Sequence, residues 1–220
     1  MMKATKFRDL TGLSAALKAA LTSYIAIAAI GLWFTWIEIE LLQRFVSGAA
    51  PSETEAVASD SQQALLARLY LLVLLVTAVL FLRWTYLSNR NIRSLGVEDL
   101  EFTPAWAVGW YFVPIMNLWM PYRALKETFK ASHPCFTQNW RQAPHPAIMP
   151  LWWTLWILQN LVGTQYASRA ETIDEVLRSS WITLGSYAFA LPFGIVAIGL
   201  VSKLTARQSE KVRRVAAAST

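Results

Sequence analysis

The side chains best suited to chemistry fall in one short stretch, SHPCFTQNWRQAPHP, which supplies His133, Cys135 and His145. Imidazole and thiolate are ligands for zinc or haem iron, and a Cys–His pair can serve as nucleophile and base. A fixed metal geometry needs a rigid frame with supporting partners, and this stretch is a proline-rich loop. A His-x-Cys followed by one distant His matches no zinc spacing, and the chain contains no nucleophile elbow, triad or phosphate-binding glycine loop. The reading is therefore no metal, no cofactor and no catalytic residue, leaning away from an enzyme. Cys135 is the only cysteine, so the chain alone builds neither a disulfide framework nor a multi-cysteine metal site.

A second set of polar side chains, Gln159 and Asn160 with Thr164 and Gln165 a turn further on, lies within a long uncharged run. Amides in an apolar helix link it to its neighbours by hydrogen bonds, each contributing about 1 kcal/mol or less. The competing role is a polar pathway, but no acidic or basic residue shares the middle of that run, and ion or proton coupling relies on such groups. Gln159 and Asn160 are the intramembrane polar candidates.

These side chains must be positioned by membrane helices. The chain of 220 residues is 55% hydrophobic and 15% charged, outside ordinary globular usage, and its mean hydropathy is +0.35. Eleven Trp and seven Tyr suit the two membrane–water boundaries, where an amphipathic ring keeps its polar edge wet. A net charge of +6 could suggest nucleic acid, but no basic stripe with interleaved aromatics accompanies it, and nucleic acid is excluded as a partner. The expectation is an all-α, single membrane domain over residues 1–220 with four transmembrane helices, at about 17–42, 64–86, 147–168 and 179–202. A basic tail covers 203–220. Pro192 and Gly194 sit inside the fourth span, as a kink or as a packing accommodation.

Charge sets the orientation. With four spans and both termini inside, only Arg44, Arg68, Arg169 and Arg178 remain outside, whereas a fifth crossing over 102–122 would erase that bias. This predicts a multi-pass membrane protein with both termini cytoplasmic. The basic N-terminal flank and Ser47-Gly48-Ala49 resemble a cleavable signal, but the apolar run is too long, and it is read as an uncleaved anchor. Residues 47–63 are expected to be a flexible outer linker. Arg68, at the start of the second span, is expected to pair with Glu38 or Glu40 at the end of the first.

Phe102 to Tyr122, FTPAWAVGWYFVPIMNLWMPY, is apolar but broken by Pro104, Pro114, Asn117 and Pro121. Interrupted backbone survives in a membrane only where protein or water satisfies its polar groups. A helix started by Pro104 would carry Trp106 and Trp110 on one face and Ala105 with Gly109 as a small-residue pair. Pro114 would end it, the Asn117 amide would cover exposed backbone groups, and Pro121 would open an amphipathic helix bearing Arg123, Lys126, Glu127 and Lys130. The predicted element is a Trp/Pro-rich broken hairpin over about 102–131, re-entrant or interfacial, between spans two and three.

From the end of the second span the sequence reads RWTYLSNRNIRSLG and then EFTPAWAVGWYFVPIMNLWMPYRALKETFKAS. It resembles the bacterial family catalogued as domain of unknown function 4328 through Arg83, Trp84, Asn91, Gly96, Pro104, Trp106, Ala107, Val108, Gly109, Trp110, Pro114, Asn117, Leu118, Trp119, Pro121 and Tyr122. The resemblance implies a multi-span membrane protein and assigns no activity. Arg83, Asn91, Trp106, Trp110, Pro114, Asn117, Trp119 and Pro121 are the candidates for binding a ligand or partner. Two functions are carried forward: a non-catalytic accessory or scaffold subunit that binds a partner helix or lipid through the hairpin, and a small channel or transporter whose broken segment lines a pathway. The expected partners are membrane lipids, with a second membrane protein or further copies of the chain as the other possibilities.

Overall fold

The computed structural model describes residues 7–49, 52–135, 138–163 and 172–218. Among them there is no strand. The helices are α1 (Thr11–Val46), α2 (Glu53–Ser94), α3 (Pro104–Gly109), α4 (Met120–Ala131), α5 (Ile148–Gly163) and α6 (Ile173–Ala218), with short 3₁₀ turns at Trp110–Phe112, Met116–Leu118 and Trp140–Gln142. Three helices, α1, α2 and α6, are long and apolar enough to cross a bilayer. Little of the apolar stretch of α2 is buried within the protein, and Leu71, Leu72, Leu75 and Val79 are all exposed. A soluble protein rarely leaves so large an apolar face to water, and lipid chains are its natural solvent. The chain is accordingly a membrane protein.

The long helices outrun the spans expected from hydropathy. The 46 residues of α6 extend roughly 70 Å at 1.5 Å per residue, about twice the hydrocarbon thickness. An apolar run marks only the segment that suits lipid; helix-forming Ala, Glu, Lys and Arg carry the same helix into the polar region on either side. Pro192 lies inside α6, which continues through it. Where the third span is expected, the structure has the 16-residue helix α5 over Ile148–Gly163, which is not among the three helices long and apolar enough to cross, while Thr164 and Gln165 lie outside the described residues.

The expected linker over 47–63 is corrected by the start of α2 at Glu53. The cause is a capping box: Ser52 Oγ accepts the Glu55 N–H at 3.3 Å, and the Glu55 carboxylate accepts the Ser52 N–H at 2.9 Å. The expected ion pair of Arg68 with Glu38 or Glu40 is also absent among the described residues. Glu40 instead accepts the Trp36 indole N–H at 2.8 Å, and the ionic contact in this region is Arg44–Glu55 at 4.0 Å. The indole, one helical turn back on the same helix, reaches the Glu40 carboxylate with no need to bridge two helices.

The described residues divide into two compact units. One lies within 20–77 and 154–196, the other within 1–19, 78–153 and 197–220. The first is centred on Tyr24, Ala28, Tyr187 and Ala190. Tyr24 and Tyr70 hydroxyls share a hydrogen bond at 2.8 Å, joining α1 to α2 with each phenol satisfied. Glycines allow the close helix contacts: a Cβ on Gly31 would stand 2.6 Å from the Tyr187 ring, and one on Gly194 would stand 2.5 Å from Ile25. Gly194 is thus a packing accommodation.

Candidate functional site

The second unit contains the broken segment and most of the candidate residues. Thr103 caps α3: its Oγ1 accepts the Trp106 N–H at 3.2 Å, and Pro104 occupies the first turn, where its missing N–H is no loss. Trp106 and Trp110 are brought together with ring centroids 4.6 Å apart. The space beside Gly109 is filled by the Trp106 ring, 3.2 Å from where a Cβ would sit, so the small residue serves the tryptophan of its own helix.

Beyond Phe112 the chain reverses through a strained turn. Val113 is extended, and Ile115 has φ 66° and ψ −51°, with the Met116 N–H donating to the Pro114 carbonyl at 2.7 Å. This is a positive-φ γ-turn, rare in general and a true outlier for a β-branched residue. Asn117 takes part through its backbone, its N–H donating to the Val113 carbonyl at 3.0 Å; its side-chain amide forms no hydrogen bond among the described residues. The turn presents apolar side chains outward: Phe112 is 70% exposed and Ile115 68%, with Leu118, Trp119 and Trp106 also exposed. Pro114 is exposed as well, whereas Pro121 is buried in the first turn of α4.

Helix α4 is amphipathic. Ala124, Leu125, Thr128, Phe129 and Ala131 are buried, while Arg123, Lys126, Glu127 and Lys130 form a stripe spaced three and four residues apart. Glu127 is itself buried and fixes the preceding loop, its two oxygens accepting the N–H groups of Glu101 at 2.7 Å and Phe102 at 3.1 Å. Burial raises its pKa above the usual carboxyl value; the Glu101 charge adds to this, and the two N–H bonds and Arg93 oppose it. Arg93 ties the same loop to α2, donating to the Phe102 carbonyl at 2.8 Å and to Asn89 Oδ1 at 2.7 Å.

The Asn91 amide is engaged within the protein. Its Oδ1 accepts the Arg8 N–H at 3.0 Å, and its Nδ2 donates to the Arg8 carbonyl at 2.8 Å and to Gln208 Oε1 at 3.2 Å. Gln208 in turn donates to the Ser88 carbonyl at 2.8 Å and Ser132 Oγ at 3.0 Å. Asn89, Asn91 and Gln208 thereby clamp the ends of α2, α4 and α6 with buried amides. Lys211, fully buried, donates to the Ala131 carbonyl at the C-terminus of α4 at 2.7 Å. Arg83 is exposed.

The two amides of α5 divide between a neighbouring helix and their own. Gln159 Nε2 reaches the Ser186 carbonyl at 3.4 Å, linking α5 to α6, and Asn160 Nδ2 donates back to the Trp156 carbonyl of its own helix at 2.7 Å. Among the described residues no three of His, Cys, Asp and Glu are placed to hold a metal ion. Cys135 is exposed and its Sγ accepts an Arg214 N–H at 3.3 Å, while His133 Nδ1 accepts the Cys135 N–H at 3.2 Å.

The family model described as "Domain of unknown function (DUF4328)" matches residues 47–206. The chain belongs to that family. No curated protein and no solved structure matches it. The DUF4328 match includes the Trp/Pro segment, α4 and the loop that Glu127 fixes, but not α1 or the Gln208 and Lys211 end of α6. The sequence reading missed Glu101, Trp140 and Arg141 around α4. With Phe102 and the α4 stripe they line a cleft of about 300 Å³.

Proposed function

We propose that the chain is a non-catalytic, four-span protein of a bacterial inner membrane, both termini cytoplasmic, whose segment over about 102–131 is a broken hairpin lying in the membrane interface. Its role in this reading is that of an accessory or scaffold subunit, engaging lipid, or a partner helix, through that segment. The observation that carries it is the outward set Phe112, Ile115, Leu118 and Trp119, presented on a strained turn directly before an amphipathic helix with a cationic stripe. Apolar side chains followed by Lys and Arg on a polar face suit the boundary between acyl chains and headgroups. The distribution of Lys and Arg supports the orientation.

The test uses a Cys135→Ser background with Ile115→Cys carrying an environment-sensitive fluorophore, reconstituted in nanodiscs. Quenching by brominated acyl chains supports the lipid contact. Shielding from both lipid and aqueous quenchers supports a partner helix or a second copy. Quenching by aqueous iodide overturns the interfacial reading. In a native-sequence protein, thiol labelling of Cys135 from outside intact cells overturns the orientation.

A further inference from the structure

The cleft beside α4 gathers charges from that helix and from the segments packed against it. Its lining comprises Arg123, Lys126 and Lys130 of the α4 stripe with Arg141, and two carboxylates, Glu101 and Glu127. The carboxylates are already engaged. Glu127 points both oxygens at backbone N–H groups, and Glu101 holds Arg123 through contacts of 2.9 and 3.1 Å. Lys126, Lys130 and Arg141 form no ion pair among the described residues.

These three cations are steadied instead by neutral groups. Lys130 Nζ donates to the Arg141 carbonyl at 2.7 Å, and Arg141 donates to the Asp99 carbonyl at 2.6 Å while its guanidinium lies 4.8 Å from the centre of the Trp140 ring. Trp140 is buried, its indole N–H donating to the Glu98 carbonyl at 3.1 Å. Lys126 lies 5.9 Å from the centre of the Tyr122 ring. Carbonyls and ring faces fix a cation without cancelling its charge, and each of these side chains keeps further N–H donors. The result is an oriented positive concavity able to hold a compact anion.

We propose that this cleft binds a phosphate group, through Lys126, Lys130 and Arg141. Phosphate offers several charged acceptor oxygens to converging donors, whereas a carboxylate would satisfy fewer of them. Its sources are the headgroup of an anionic lipid or free phosphate. The lipid source rests on the interfacial reading given above; the anion chemistry does not.

The experiment is 31P line broadening with the full chain in a phosphate-free detergent. The probes are dihexanoylphosphatidylglycerol and inorganic phosphate, with unlabelled dihexanoylglycerol as a phosphate-free competitor. The variants are Lys126→Gln/Lys130→Gln and, as a control for charge alone, the exposed Lys203→Gln. Saturable broadening is expected, weakened about fivefold for each cleft lysine removed, unchanged in the control and undisturbed by dihexanoylglycerol. Binding of both probes assigns the shared phosphate chemistry, the lipid alone assigns the headgroup, and inorganic phosphate alone assigns a soluble anion and separates the cleft from the lipid reading. Broadening equal in the native protein and the double variant, displacement by dihexanoylglycerol, or no broadening by either probe overturns the proposal. Quenching at position 115 is read separately, so failure of the interfacial reading does not mimic failure of the cleft.

Discussion

Removing the Glu127 carboxylate tests whether α4 holds the 101–102 loop by hydrogen bonds or merely lies beside it. The residue accepts two backbone N–H groups, of Glu101 at 2.7 Å and of Phe102 at 3.1 Å. An N–H left buried without an acceptor costs about 1–3 kcal/mol. Phe102 is buried and would bear that penalty in full, whereas Glu101 is exposed and recovers part of it from water. Glu127→Ala is therefore expected to destabilise the docked loop by roughly 2–4 kcal/mol and Glu127→Gln, which keeps one oxygen, by roughly 1–2 kcal/mol. Hydrogen–deuterium exchange of peptides covering 99–104 reads this locally. With about 1.4 kcal/mol per factor of ten, the Gln variant should exchange roughly tenfold faster and the Ala variant faster again. Arg123→Gln, which removes an exposed ion pair with Glu101, should change exchange by less than about threefold. Because burial raises the Glu127 pKa, the proton-linked part of its contribution is complete below the ordinary carboxyl value of 4.5 and is lost as pH rises through the folded value, while the two N–H bonds hold the loop on either side of that window. Loop protection should decline over that window in the native protein and not in Glu127→Gln. Exchange within twofold of native in Glu127→Ala would refute the reasoning.

Three further perturbations address other parts of the molecule. Ile115→Gly should raise the thermal midpoint in detergent, because release of a positive-φ strain of about 1–3 kcal/mol exceeds the ~0.5–1 kcal/mol entropy cost of glycine; a lower midpoint would show that the turn is unstrained. Gly31→Ala should destabilise by about 1–3 kcal/mol, since the new methyl meets the Tyr187 ring at 2.6 Å, and an unchanged midpoint would show that the ring yields freely. Lys211, beyond the apolar part of α6, has its pKa lowered to about 8 by burial, from 10.5. A depressed folded pKa gives stability present above 10.5 and lost as pH falls through 8. The native protein should therefore gain stability between those values, by at most about 1.4 kcal/mol per pH unit, relative to a flat Lys211→Met. Parallel profiles would remove Lys211 as the cause.

Helix class and the break at Pro114 follow from features visible in one dimension: apolar length, proline positions and the three-and-four spacing of Arg123, Lys126, Glu127 and Lys130. The start of α2 was also legible, in Ser52-Glu53-Thr54-Glu55, but the polar composition of 47–63 hid a capping box behind the look of a linker. The hydrogen-bonded setting of Asn91 was not legible. An asparagine before a glycine reads equally as a turn or a ligand, and only folding brings Arg8 and Gln208, distant in sequence, to its amide. The walls of the cleft were hidden for the same reason. Arg141 and Trp140 come from the stretch that drew attention for His133 and Cys135, and they matter through a loop 42 residues away, where Trp140 and Arg141 donate to the carbonyls of Glu98 and Asp99.

The two features that support a lipid-facing role depend on one frame. A γ-turn at Ile115 holds an apolar side chain outward against its backbone preference, and such strain persists only where the surroundings over-determine it. The surroundings are the Thr103 cap on one side and α4 on the other, and α4 is fixed at its far end by Ser132 and Lys211 and along its length by Glu127 and Thr128. Buried amides and a buried lysine are an expensive way to stabilise a helix, because each is worth little net and is costly when unpaired. Their value lies in direction: hydrogen bonds fix one orientation of α4 where apolar contacts would allow several. With α4 so fixed, its cationic stripe and the apolar turn before it are held together as one surface, the arrangement that the proposed interfacial role requires. Loosening the frame, as in Glu127→Ala, should therefore weaken phosphate binding in the cleft even though the three cations remain. Unaltered binding in that variant would mean that the cations act as a mobile charge cloud and that the frame serves stability alone.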